Sequence, residues 1–219
     1  MRVGTDGVLL GAWAGQGRLN HILDVGTGTG LIALMMAQRF PVAKVDALDI
    51  DDKAVVRAKE NASVSLWSDR ISIYHSSFQE FIQAENHQYD LIVSNPPFFH
   101  RAFKPPDLIR HIARHDDRLP AEVLFERSSE LLSRAGLLAL VLPYLGHQQI
   151  LELAAKHDFH PSRVLFVRPV PHKEFNRILI EFSRKPGSIE RNEITIEEHG
   201  RHKYSRDYIA LTKDFYLNM

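Results

Sequence analysis

Between the strand-like runs Val164 to Val167 and Arg177 to Phe182 lie only nine residues, Arg168-Pro169-Val170-Pro171-His172-Lys173-Glu174-Phe175-Asn176. Two prolines in so short a stretch leave no place for a crossover helix, so the two runs must pair as an antiparallel hairpin. The chain before them obeys a different rule, alternating strand and helix. Ile22 to Val25, Lys44 to Ile50, Ile71 to Tyr74, Tyr89 to Ser94 and Leu137 to Leu142 read as strands. Helices are predicted over Leu31 to Arg39, after a cap at Asp51 or Asp52 with Ala54, Val55, Ala58 and Ala62 on one face, over Pro120 to Ser133 with Gly136 past its end, and from about Gln148 to His157. Alternation of this kind implies a parallel sheet covered on both faces, here closed by the hairpin.

A length of 219 residues with 44% hydrophobic and 25% charged residues suits one α/β domain spanning residues 1–219, with no linker or repeat to divide it. With no cysteine, the chain has neither disulfides nor thiolate metal sites nor a cysteine nucleophile, a composition that fits a reducing cytoplasm. Apolar runs are of strand length, well short of the ~20 residues that a membrane-spanning helix needs. Val8 to Ala14 faintly mimics the apolar core of a signal peptide, but Asp6 and neighbouring glycines interrupt it. The formal charge is zero, which hides an asymmetry: residues 1–98 hold 8 basic and 11 acidic side chains, and residues 99–219 hold 19 and 16. Nine of the 12 histidines also lie in the second part.

Three motifs carry chemistry. In Asp24-Val25-Gly26-Thr27-Gly28-Thr29-Gly30 the glycines alternate, letting a ligand come close to a helix start. Their spacing is not the G-x-G-x-x-G of dinucleotide sites, and the acidic residue ahead of them suits an ammonium group better than phosphates. Asp49, 21 residues after Gly28, is placed to accept from ribose hydroxyls, with Asp46, Asp51 and Asp52 as competitors, the last two better explained as helix caps. Asn95-Pro96-Pro97-Phe98-Phe99 follows the fourth strand, where ligands of doubly wound sheets bind. There the prolines stiffen the loop and free its carbonyls, Asn95 adds an acceptor and Phe98 a stacking face, which together suit an exocyclic amine on a flat conjugated group.

In this order the motifs resemble those of class I AdoMet-dependent methyltransferases of the N-P-P-[YF] amino-methylating group. Val3-Gly4-Thr5-Asp6-Gly7-Val8-Leu9-Leu10-Gly11-Ala12-Trp13, Tyr204-Ser205 and Ala210-Leu211-Thr212-Lys213-Asp214-Phe215-Tyr216-Leu217 narrow the likeness to the bacterial tRNA(Val) (adenine-37-N6)-methyltransferase family. The resemblance implies a Rossmann-like, doubly wound, mostly parallel seven-stranded sheet closed by an antiparallel hairpin. It implies S-adenosyl-L-methionine as cofactor and a tRNA adenine as substrate. By resemblance Asp24, Gly26, Gly28 and Gly30 cradle the methionine part, Asp49 holds the ribose, the adjoining Ile50 belongs to the cofactor-binding residues, and Thr5 and Asp6 close over the cofactor. Asn95, Pro96, Pro97 and Phe98 grip the target base, Asn95 also bordering the cofactor. Ser77 and Phe78 stand where relatives often carry an Asp against the cofactor's adenine. Relatives usually have a further segment ahead of the Val-Gly-Thr-Asp motif, so the expectation is a chain that is truncated, with a segment missing before residue 1, or that starts at an internal Met.

RNA contacts are expected from Arg101, Lys104 and Arg114, with Arg110 and Arg118, and from Arg201 and Lys203, with Arg206. His111 and His115 have metal-ligand spacing, yet position 112 is Ile and no third ligand follows, so no metal is expected. A monomer or weak homodimer is expected. Alternatives in view are N-P-P-F chemistry on guanine N2 of rRNA or on a protein glutamine amide, and a non-catalytic AdoMet- or RNA-binding module.

Overall fold

The computed structural model describes residues 4–82, 87–96 and 119–217. In chain order the elements are α1 Thr5–Trp13, β1 His21–Val25, α2 Leu31–Arg39, β2 Lys44–Asp49, α3 Asp52–Ser63, β3 Ile71–His75, β4 Tyr89–Ser94, α4 Ala121–Leu131, β5 Leu132–Pro143, α5 His147–Lys156, β6 His160–Arg168, β7 Arg177–Ser183, β8 Glu190–Thr195 and α6 Arg206–Thr212. One sheet orders them β3-β2-β1-β4-β5-β7-β6-β8. Strands β1 to β5 are mutually parallel, β7 runs antiparallel to both β5 and β6, and β8 is parallel to β6. The prolines between β6 and β7 therefore do what the sequence requires of them, and the hairpin returns the chain between β5 and β6.

Side chains alternate between two cores, one on each face. Leu91 and Val93 of β4, with Leu179 of β7, point toward α1, α2 and α6. Ile92, Ile178, Ile180 and Phe182 point toward α4 and α5, against Phe125 and Phe159. Strands this apolar on both faces belong inside a two-sided sheet.

Three features differ from the sequence-based expectation. The apolar run at Val8 to Ala14 is core: α1 is buried from Gly7 through Trp13 and packs on α2. An eighth strand, β8, extends the predicted seven. Gly136 does not follow a helix end; α4 stops at Leu131, and β5 starts at once with Gly136 inside it. A Cβ there would lie 2.7 Å from the Tyr89 carbonyl oxygen, where the β4–β5 register shifts. Close approach of two backbones, and not a helix cap, explains that glycine.

The C-terminal end of α1 is bolted to the sheet by charge. Glu181 and Arg163, both over nine-tenths buried, pair through Nε–Oε2 at 2.9 Å and Nη2–Oε1 at 2.7 Å. Glu181 also accepts from the Gly15 amide, while Arg163 donates to the Trp13 carbonyl and stacks over the Trp13 ring at 4.2 Å. Arg39 donates to the carbonyls of Gly11, Ala14 and Gly15; burial, then the nearby Arg163 charge, lowers its guanidinium to about 10. A buried pair costs most when one partner is removed and the other is left charged. Glu181→Leu alone is therefore expected to lose about 3–5 kcal/mol in chemical denaturation. The Glu181→Leu/Arg163→Met double variant should lose less than either single change; strictly additive losses would contradict this reading.

Candidate functional site

The carboxyl ends of β1, β2 and β4 open into a cavity of about 440 Å³. Its wall is built from Gly4, which precedes α1, and Gly7 of α1, the turn Val25 to Thr29, Leu31 and Ile32 of α2, Leu48 to Asp51, Ala54, Ser76 to Phe78, Ser94 to Pro96, and Leu119. The sequence motifs thus converge on one space from three loops.

The glycine turn is held from below. The Gly26 and Thr27 amides donate to the Leu48 carbonyl at 2.9 and 3.0 Å, and the Gly28 amide donates to Asp49 Oδ2 at 2.8 Å. Gly26 and Gly28 sit at φ 74° and 60°, a region that L side chains avoid. A Cβ built on either meets nothing within 4 Å among the described residues, so the bare backbone of the turn faces the cavity.

Asp24 lies behind that turn. It is fully buried and is absent from the cavity wall; Oδ2 accepts from Thr27 Oγ1 at 2.6 Å and from the Ala33 amide at 3.1 Å. Among the described residues its other oxygen, Oδ1, has no hydrogen-bond partner. Burial pushes the carboxyl up to about 7, against the lowering effect of those two donors.

Among the acidic competitors the structure discriminates. Asp49 lines the cavity, its Oδ1 accepting from the Asp51 amide at 2.9 Å. Asp51 caps α3 by accepting from the Lys53 amide, and Asp52 opens that helix. Asp46 is taken by the hydroxyls of Tyr89, at 2.6 Å, and Tyr74, away from the cavity wall. Ile50 and Phe78 supply apolar wall, and Ser77 donates from Oγ to Glu80 Oε2 at 2.8 Å while lining the same space. Ser94 Oγ donates to the Val25 carbonyl at 2.8 Å, which ties the strand leading into Asn95-Pro96 to the strand leading into the glycine turn.

Thr5 and Asp6 sit in the first turn of α1, between the wall residues Gly4 and Gly7. Asp6 Oδ2 accepts from Arg177 Nε at 2.9 Å, which fixes this end of α1 to the start of β7. Arg201 and Lys203 are exposed on the turn between β8 and α6. Pro97, Phe98, Arg101, Lys104, Arg110, Arg114, Arg118, His111 and His115 lie outside the described residues. Gly7, Ala54 and Arg177 were not among the candidate site residues; a signal existed only for Gly7, which lies in the N-terminal motif and, with Gly11, lets α1 approach α2 closely.

Among the described residues, no cluster of three or more His, Asp or Glu is arranged to hold a metal, and no helix is long and apolar enough to cross a membrane.

Residues 7–157 match the methyltransferase small domain family. The chain is 47% identical over 219 residues to a tRNA1(Val) (adenine(37)-N6)-methyltransferase of Parabacteroides distasonis, covering 100% of this chain and 92% of the relative. It is 44% identical to the enzyme of the same name from Flavobacterium psychrophilum, covering 100% and 94%. A predicted O-methyltransferase from Agrobacterium tumefaciens superposes with a TM-score of 0.72 at 17% identity, covering 95% of this chain and 96% of that one, a likeness of fold alone.

A carboxyl whose folded pKa is raised binds its proton more tightly folded than unfolded, so its contribution to stability is full below about pH 4 and is lost as pH rises through about 7. Relative to Asp24→Asn, which cannot ionise, wild type is expected to lose on the order of 4 kcal/mol at most between pH 4 and pH 8. Urea denaturation of both proteins across that window checks it, and a constant difference between them would contradict it.

Proposed function

The chain belongs to the tRNA1(Val) (adenine(37)-N6)-methyltransferase family, and from that premise we propose that it transfers a methyl group from S-adenosyl-L-methionine to the exocyclic N6 of adenine 37 in tRNA(Val), in the cytoplasm. One observation carries this reading: the bare glycine turn, Asp49 and the Asn95-Pro96 corner share the wall of one cavity. The space suits such a ligand. Its volume lies within the ~300–1,000 Å³ of small-molecule sites. The backbone at Gly26 and Gly28 carries no side chain to obstruct a ligand, the Asp49 carboxylate can accept from hydroxyls, and Leu48, Ile50 and Phe78 give an apolar slot for a flat ring.

When bound, S-adenosyl-L-methionine supplies a methyl group activated by a sulfonium. The protein's part is position. Gly26 and Gly28 would lie along the methionine part, Asp49 would hold the ribose, and Ser77 with Phe78 would border the adenine. Asn95 Oδ1 and the Pro96 carbonyl would accept from the N6 amine, orienting its nitrogen toward the methyl group; Pro97 and Phe98 would complete the grip. The methylated nitrogen releases a proton of its own accord, so the site needs no strong base. An adenine in an RNA loop must leave its stack to reach such a pocket. Arg201 and Lys203 would meet the phosphates around it.

The test is incubation of a tRNA(Val) transcript with labelled S-adenosyl-L-methionine, followed by nucleoside analysis. Label is expected in N6-methyladenosine at position 37; label in N2-methylguanosine, or none with an intact cofactor site, would overturn the proposal. Asn95→Ala should abolish turnover while S-adenosyl-L-methionine affinity stays within about 3-fold, as for a group that touches the base and only borders the cofactor. Asp49→Ala should weaken that affinity by about 10- to 100-fold in calorimetry, the value of hydrogen bonds to a charged acceptor. The opposite assignment of the two losses would show that the roles are exchanged.

A further inference from the structure

Every strand except β7 runs the same way, so the segments following β4, β5, β6 and β8 emerge along one edge of the sheet. Asn95-Pro96 follows β4. Its hydrogen-bonded neighbour β5 lies about 4.8 Å away and continues to Pro143, beyond Leu140, the partner of Ser94. The chain therefore delivers Tyr144 and His147 beside the base-binding corner. The next strands along the edge contribute Phe166, Arg168 and, from the proline-containing connection, Phe175.

These five side chains form one patch. Tyr144 stacks on His147 with centroids 4.8 Å apart at 27°, and it meets Phe175 at 5.5 Å and Phe166 at 6.1 Å. Phe166 and Phe175 are 5.4 Å apart. The Arg168 guanidinium lies over the Phe175 ring at 4.2 Å, held by Glu193 at 2.7 Å. All five are part-exposed, so the rings are packed against one another without being sealed into the core. The fold thus gathers four flat faces and a planar cation along the sheet edge, beginning with Tyr144 and His147 one strand away from the base-binding corner and reaching Phe166 and Arg168 at the end of β6.

We propose that this patch is a stacking platform for the unpaired bases flanking the target adenine, an inference that rests on the RNA-methylating reading above. A base drawn out of a loop leaves its neighbours unstacked. Aromatic faces and a guanidinium plane replace that lost stacking whatever the base identity, because every base has a π-face. The cation adds attraction for the loop's phosphates, and the platform continues along the edge toward Arg201 and Lys203 on the turn after β8. The partner is thus a single-stranded RNA loop rather than a duplex.

Fluorescence anisotropy with a labelled tRNA(Val) anticodon stem-loop, alongside tRNA KM, tests this in wild type, Tyr144→Leu, Phe175→Leu, Phe175→Tyr and Arg168→Gln. Leucine keeps apolar volume but offers no face to stack on. Each Leu variant is expected to weaken RNA binding and raise tRNA KM by about 10-fold, while S-adenosylhomocysteine affinity and Tm stay near wild type. Phe175→Tyr should bind as wild type does. Arg168→Gln, a surface change, should weaken binding and flatten its dependence on salt, which keeps the test open should a Leu variant fail to fold. Leu variants that bind RNA like wild type would overturn the platform, as would losses of RNA binding, cofactor affinity and Tm in parallel. If the Leu variants lose RNA binding but wild type makes no N6-methyladenosine, the platform stands and the assigned reaction falls. If wild type methylates and the variants bind normally, the platform alone falls.

Discussion

The bond from the Gly28 amide to the Asp49 carboxylate joins the two loops on which the site depends. A backbone bent through left-handed positions at Gly26 and Gly28 has few side chains to steady it, so its shape must come from the neighbouring strand. Strand β2 provides this twice, through the Leu48 carbonyl and the Asp49 side chain. Asp24 grips the same turn from behind through Thr27, and Ser94 ties in β4 through the Val25 carbonyl. The register of three parallel strands thus becomes the relative placement of three loops, which is how a sheet sets a pocket to within a fraction of an ångström.

The fourth wall comes from outside the parallel sheet. Helix α1 brings Gly4 and Gly7 to the cavity, and its own position is set at both ends. At its far end the buried Arg163–Glu181 pair and Arg39 satisfy the last carbonyls of the helix. At its near end Asp6 meets Arg177 at the start of β7. The hairpin that distinguishes this sheet from a plain dinucleotide-binding one therefore anchors α1, since Arg163 and Glu181 lie on β6 and β7. Closing hairpin and cavity wall are one construction.

The sequence was most legible where a period or a spacing left a single solution. Two prolines in the β6–β7 connection forced the hairpin, and a cap at Asp51 or Asp52 was readable, the structure giving it to Asp51. Helix α1 was missed because it is buried all round from Gly7 to Trp13 and so shows no amphipathic stripe. Strand β8 was missed for the opposite reason: Glu190 to Glu193 are exposed and polar, as befits an edge strand, and Ile194 alone enters the core. Gly136 looked like a helix terminator because a close backbone approach leaves no local trace. At the site, spacing after the glycines could not separate Asp46 from Asp49; only the third dimension shows the two tyrosine hydroxyls that occupy Asp46. The burial of Asp24 was likewise invisible, since a residue behind a turn and one in front of it have the same sequence.

The proposed reaction requires one cavity to hold the donor against the glycine turn and present it to the Asn95 corner. A crystal structure with S-adenosylhomocysteine decides this. The amino-acid end is expected along Gly26 and Gly28, the ribose hydroxyls on Asp49, and the sulfur directed toward Asn95. Density for the ligand in another part of the molecule, or a sulfur turned away from Asn95, would contradict it.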